Sequence, residues 1–157
     1  IDSQLAREKA RIYIPDVCIA EAFKVLAKKR YRENVFCPAE YNNAKNKLSK
    51  EITTSVKVLK AQNRTIRYHD VSTCRDIIIS VDRFFEMFAK KGKNVQIADL
   101  IVIATAKYLM DFYDIPKDSL HLITLDAELW SGIKHITDLP CPFNPTLPTN
   151  SVERIFE

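Results

Sequence analysis

The chain has 157 residues, a formal net charge of +4, 46% apolar and 28% charged residues, and two glycines, Gly92 and Gly132. About 1% glycine, against a usual ~7%, excludes a P-loop, a GxGxxG dinucleotide turn and a GxSxG nucleophile elbow. Each needs at least two glycines in close register, so the NTPases, NAD-dependent dehydrogenases and lipase-like hydrolases built on them are excluded too.

The length suits one compact domain with a sizeable core. No apolar run approaches the roughly 18 residues of a membrane-spanning helix, and the first residues lack the regions of a signal peptide. A soluble, cytoplasmic protein is the expectation.

In chain order, Arg11–Pro15 reads as a β-branched and aromatic strand closed by proline, followed by a helix over VCIAEAFKVLAKK with a basic tail. Pro38 opens a long amphipathic helix whose Tyr41, Ala44, Leu48, Ile52, Val56 and Leu59 recur at the 3.6-residue period of one buried stripe. Thr65–Val71 reads as a second strand. Ser72 is a candidate N-cap for a helix carrying Ile77, Ile78, Val81, Phe84, Phe85 and Phe88, which Gly92 ends.

VQIADLIVIATAKYLM is a helix apolar on nearly every face, expected at the domain's centre. A loop with Pro116 leads to LHLIT, a strand too apolar for an edge, then to a short helix around Glu128 and Trp130, and to His135 and Ile136 as a last strand. Alternating strands and helices argue for a parallel sheet covered on both faces. Pro140, Pro142, Pro145 and Pro148 then suggest an extended arm over residues 140–157, distinct from a domain over residues 1–139.

Cys18, Cys37, Cys74 and Cys141 are dispersed without a CxxC pair and read as reduced. His69, His121 and His135 form no zinc motif with them. Basic residues cluster at Lys28, Lys29, Arg30 and Arg32, at Lys45, Lys47, Lys50, Lys57, Lys60 and Arg64, and at Lys90, Lys91 and Lys93. Each cluster suits either a solvated helix face or a nucleic-acid backbone.

Three acids interrupt apolar segments: Glu21 in VCIAEAF, Asp99 in VQIADLIVIA, and Asp126 directly after LHLITL. An ionised carboxylate in apolar surroundings costs several kcal/mol unless compensated, and these segments suggest no Lys or Arg partner. Each acid taken singly also suits a helix N-cap or a hidden ion pair. In an α/β sheet all three map to the crevice beyond the strands' carboxyl ends, where clustered carboxylates suit Mg²⁺ or Mn²⁺. Such an ion polarises a phosphodiester and generates hydroxide from a bound water.

ADLIVIATAKYL, LITLDAELW and IPDVCIAEAFKVL together resemble the PIN-domain ribonucleases, the family of VapC-type toxins and related RNA-processing nucleases. The resemblance covers about residues 1–139. It implies a three-layer α/β/α fold with a central parallel sheet, one or two Mg²⁺ or Mn²⁺ ions, and RNA cleavage. Glu21, Asp99 and Asp126 take the family's acidic positions, and Thr124 either assists the metal site or is an ordinary strand-end hydroxyl.

Ile1-Asp2-Ser3 fits the pattern around the family's first acid, which makes Asp2 a fourth candidate. Only eight residues separate Ser3 from Ile12, whereas a parallel crossover usually needs about ten or more. Either a segment is missing between Asp2 and Arg11, or QLAREKA ends a crossover helix and Asp2 is its N-cap.

The leading expectation is a metal-dependent endoribonuclease, in one form the toxin of a toxin–antitoxin pair. A catalytically silent PIN-like module that binds RNA or protein is the alternative, and a phosphatase or DNA nuclease a third. Phe84, Phe85 and Phe88 suit either the core or a homodimer interface.

Overall fold

The computed structural model describes the backbone of residues 12–53, 57–61 and 64–146. Asp2, Val56 and the chain after Thr146 lie outside the described residues. The chain is a mixed helix and strand protein with two small sheets, one mixed and one parallel, and it divides into two compact units between Ser72 and Thr73.

In the first unit, β1 (Ile12–Pro15) runs directly into α1 (Asp16–Tyr31). Pro15, at φ −62° and ψ 143°, ends the extended stretch and fills the N-cap position. Asp16 in the first turn and Lys28, Lys29 and Arg30 in the last complement the two ends of the helix dipole.

The next helix, α2 (Pro38–Thr53), starts on a reciprocal cap. Glu40 Oε2 accepts from the Cys37 main-chain N–H at 2.8 Å, and Cys37 Sγ accepts from the Glu40 N–H at 3.5 Å. This is a capping box with sulfur in place of the usual hydroxyl, and Pro38 at the first helical position has no N–H to leave unpaired.

Of the helix expected to run on through Leu59, Pro38–Thr53 is helical. Lys57–Ala61 is instead a strand, β2, antiparallel to β3 (Arg64–Val71) from Lys57 opposite Tyr68 to Ala61 opposite Arg64. Ile52, Thr53, Thr54 and Val56 are β-branched and lose rotamer freedom in a helix, whereas ladder hydrogen bonds to β3 satisfy the backbone beyond them. β1 pairs with β3 in parallel, Ile12 opposite Tyr68, which gives the order β1-β3-β2.

In the second unit, α3 (Arg75–Ala89) packs on α4 (Ile97–Phe112). Ser72 does not cap α3. Cys74 takes the N-cap position with extended backbone and no side-chain capping hydrogen bond. The helix ends in a Schellman arrangement: the Lys93 N–H reaches the Phe88 carbonyl, the Gly92 N–H that of Ala89, and Gly92 has φ +65°.

The apolar faces of these helices, with Ile77, Phe84 and Phe88 from α3 and Leu100 and Ile103 from α4, form one buried cluster. Phe84 and Phe88 are thus core residues, while Phe85 is 53% exposed. Thr105, the buried hydroxyl of α4, donates to the Ile101 carbonyl at 2.7 Å and so has its hydrogen bond within the helix.

After a 3₁₀ turn at Lys117–Ser119 come β4 (His121–Ile123), α5 (Ala127–Ile133) and β5 (Cys141–Phe143). Among the described residues β4 and β5 pair in parallel as a sheet of two, which leaves β4 at an edge there despite its composition. Of its side chains only Leu122 is buried. His135 and Ile136 form no strand; the Ile136 N–H closes a turn onto the Ile133 carbonyl and its side chain is buried.

Nor is the proline-rich stretch an arm from its first residue. Leu139 and Pro140 are fully buried, Phe143 and Asn144 nearly so, and Trp130 Nε1 donates to the Pro142 carbonyl at 3.2 Å. Pro142 is tolerated because a two-stranded sheet asks for one ladder only.

Candidate active site

The best-defined candidate group lies beyond the carboxyl end of β4. The Thr124 N–H donates to the Phe143 carbonyl at 3.0 Å, extending the ladder by one residue. Thr124 Oγ1 then accepts from the Asp126 N–H at 3.1 Å, closing a turn over Leu125. Asp126 is the N-cap of α5: its Oδ1 accepts from the N–H groups of Glu128 at 2.8 Å and Leu129 at 2.9 Å.

These bonds fix the carboxylate through one oxygen. Among the described residues, no hydrogen bond or ion pair reaches Asp126 Oδ2, and the residue is exposed. The two single-residue expectations for Asp126, cap and potential ligand, are therefore compatible.

Asn144 was not singled out by sequence. It follows β5, is 3% exposed, and its amide donates to the Leu125 carbonyl at 3.5 Å. Its Oδ1 accepts from the N–H and hydroxyl of Thr146 at 2.9 and 2.6 Å. Asn144 thereby fastens the Thr124–Asp126 turn to the chain after β5. The signal was the Phe-Asn-Pro-Thr run, since asparagine before proline commonly closes a side-chain turn on the residue two further on.

Asp99 stands in the first turn of α4, after the N-cap Gln96 and directly before the buried Leu100. It is half-buried, as expected of an acid near the start of an apolar helix. Leu100 belongs to the same core cluster as Leu122 and Leu129, which bracket the Thr124–Asp126 turn in sequence.

Glu21 departs from expectation. It has a basic partner after all: Lys24 Nζ lies 3.0 and 3.1 Å from its two oxygens, and the carboxylate side chain is 42% exposed. Glu21 is half-buried rather than buried, and no described residue of α1 is fully buried. The apolar letters around Glu21 suggested deep burial, but a partner one helical turn away was within reach.

No group of three or more His, Cys, Asp or Glu side chains that could hold a metal is found among the described residues. No described helix is long and apolar enough to cross a membrane. Comparison with protein-family models, curated proteins and solved structures gives no match to this chain.

Proposed function

We propose that the chain is a metal-dependent endoribonuclease of PIN-like organisation, with a three-layer α/β/α arrangement and a central parallel sheet. Asp99 and Asp126 would hold Mg²⁺ or Mn²⁺, Glu21 and Asp2 are the further acids that the family resemblance assigns, and Thr124 orients the turn. The observation that carries this reading is the Thr124–Asp126 turn, which presents one carboxylate oxygen while helix N–H groups immobilise the other.

The donor chemistry fits such an ion. Mg²⁺ takes oxygen ligands and usually needs only one or two carboxylates, with waters and substrate phosphates filling its remaining positions. When bound, it supplies Lewis acidity to the phosphodiester and lowers the pKa of an attacking water. The chain's own contribution is placement: the α5 N–H groups hold Asp126 in orientation, and Asn144 fixes the turn.

RNA is the substrate, and an antitoxin peptide or a second copy of the chain is a further partner in the cytoplasmic toxin form of this reading. Cleavage of single-stranded RNA in Mn²⁺, abolished by Asp99→Asn and by Asp126→Asn without unfolding, is the expected result. Full activity in either variant or in excess EDTA rejects it.

The Lys24–Glu21 pair favours a second reading, a catalytically silent module that binds RNA or protein. Mn²⁺ titration separates the two. A working acid set gains thermal stability through binding linkage, whereas a silent one gains none.

A further inference from the structure

We propose that the corner between α1 and α2 is a docking surface for single-stranded RNA, with Tyr31 as the platform on which an unpaired base stacks. This deepens the ribonuclease reading by naming where substrate is held, and it rests on that reading for the choice of RNA.

The charge of the chain is concentrated here. Between Lys24 and Lys50 stand eight basic and two acidic residues, so the remaining 130 residues carry 16 basic and 18 acidic ones. The net +4 of the chain thus comes entirely from this stretch of the first unit. Lys28 and Lys29 share one carboxylate, Glu33, at 3.1 and 3.5 Å. The hydrogen bond from Lys28 and the charges of both lysines hold the Glu33 pKa below the usual carboxylate range, and one positive charge is left over.

Aromatic groups are set among these cations. Tyr31, at the end of α1, is 70% exposed. Its ring meets Tyr41 of α2 edge-to-face, with centroids 5.6 Å apart. The Arg30 guanidinium lies 5.7 Å from the Tyr31 ring centre and donates to the Phe36 carbonyl at 3.2 Å, which limits its movement. A braced, exposed ring flanked by cations is the combination that binds single strands, where bases stack on aromatics and phosphates meet Lys and Arg.

Exposure of aromatic rings alone does not select this corner. Phe112 and Tyr113, 64% and 58% exposed, stand beside Asp111 and Asp114, whose charge repels phosphate. The Tyr31 corner joins an exposed ring to the basic excess of residues 24–50.

The test is fluorescence anisotropy of a labelled oligouridine of about 12 nucleotides, titrated with the full chain in EDTA so that neither metal nor cleavage contributes. Tyr31→Ala is expected to weaken binding about tenfold and Tyr31→Phe to retain it. Lys28→Ala with Lys29→Ala should lower the salt dependence of log K by about 1.4, from about 0.7 per phosphate contact. Tyr113→Ala should bind as the parent, and an RNA duplex of equal length should bind more weakly than the single strand.

Unchanged affinity in folded Tyr31→Ala, an equal loss in Tyr113→Ala, equal binding of duplex, or no binding by the parent overturns the proposal. The nuclease reading fails separately. If Asp99→Asn and Asp126→Asn keep full cleavage while Tyr31→Ala loses binding, the corner stands and the carboxylate site falls. Intact binding by Tyr31→Ala beside metal-dependent cleavage lost in the Asp variants gives the reverse.

Discussion

The hydroxyl of Thr124 accepts from the main-chain N–H of Asp126 at 3.1 Å, so the residue that ends the β4 ladder also shapes the turn presenting the carboxylate. Asp126 accordingly has two roles that different substitutions separate. Asparagine is as good an N-cap as aspartate, while alanine loses the cap at about 0.5–2 kcal/mol. Asp126→Asn is expected to melt close to the parent and Asp126→Ala several degrees lower. Metal-dependent RNA cleavage should be lost in both. A large loss of stability in Asp126→Asn would show that the charge, and not the hydrogen-bond geometry, holds α5.

Thr124→Val removes the acceptor while keeping the branched shape, and Thr124→Ser keeps the acceptor. The valine variant should lose about 0.5–1.5 kcal/mol, the net worth of one hydrogen bond, and serine much less. Urea titration of the three proteins provides the check. Equal midpoints for valine and serine would mean that the hydroxyl does not hold the turn.

The helices were the legible part of this chain, because α1, α3 and α4 each carry a long apolar or amphipathic pattern. Leu59 was misread because its spacing continued the stripe of α2, and periodicity carries no information about the partner strand that captured it. β5 was hidden by Pro140 and Pro142, whose composition suggests an arm, while the burial of Pro140 and Phe143 depends on packing against distant residues. For the site, Asp99 and Asp126 were visible as acids at helix starts. The pairing of Glu21 with Lys24 and the buried clip of Asn144 depend on side-chain placement, which a linear pattern leaves open.

The two glycines differ in what they tolerate. A Cβ on Gly132 would stand 2.5 Å from Cε1 of Phe88, a ring 1% exposed and unable to withdraw. Alanine gains about 1 kcal/mol of helix propensity there, but overpacking costs about 1–3 kcal/mol, so Gly132→Ala is expected to destabilise. Pairing it with Phe88→Leu should recover part of the overpacking loss in a double-mutant cycle. Gly92 has open space around it but φ +65°. Gly92→Ala should therefore cost about 1 kcal/mol from the backbone alone, and Gly92→Asn less. Additive energies for Gly132→Ala and Phe88→Leu would refute the clash.

His121 in β4 has its pKa lowered, chiefly by burial, with the charge of Asp118 acting the other way. Well above a pH of about 6.5 the imidazole is neutral both folded and unfolded and adds no pH dependence. As pH falls below that value the unfolded chain takes up the proton first, so stability declines until the folded pKa is reached. Melting temperature between about pH 7.5 and 5 should fall more steeply in the parent than in His121→Gln. Parallel profiles would mean that other groups set the slope.

Glu40 titrates lower in pH and through hydrogen bonding. Its pKa is held below the usual carboxylate range first by the Cys37 N–H and then by the Cys37 side chain. Both contacts belong to the cap of α2. For an acid with a depressed folded pKa, the stabilisation is fully present above the unfolded pKa, near 4.3, and is lost as pH falls through the folded value. Glu40→Ala should therefore lower stability at neutral pH and flatten the decline below about pH 4.5, because its cap is already absent. Cys37→Ser offers the independent check: a hydroxyl is the usual partner in this motif, so α2 should be at least as stable as in the parent. A Cys37→Ser protein that melts lower, with Glu40→Ala unchanged at neutral pH, would show that the reciprocal contacts do not set the start of α2.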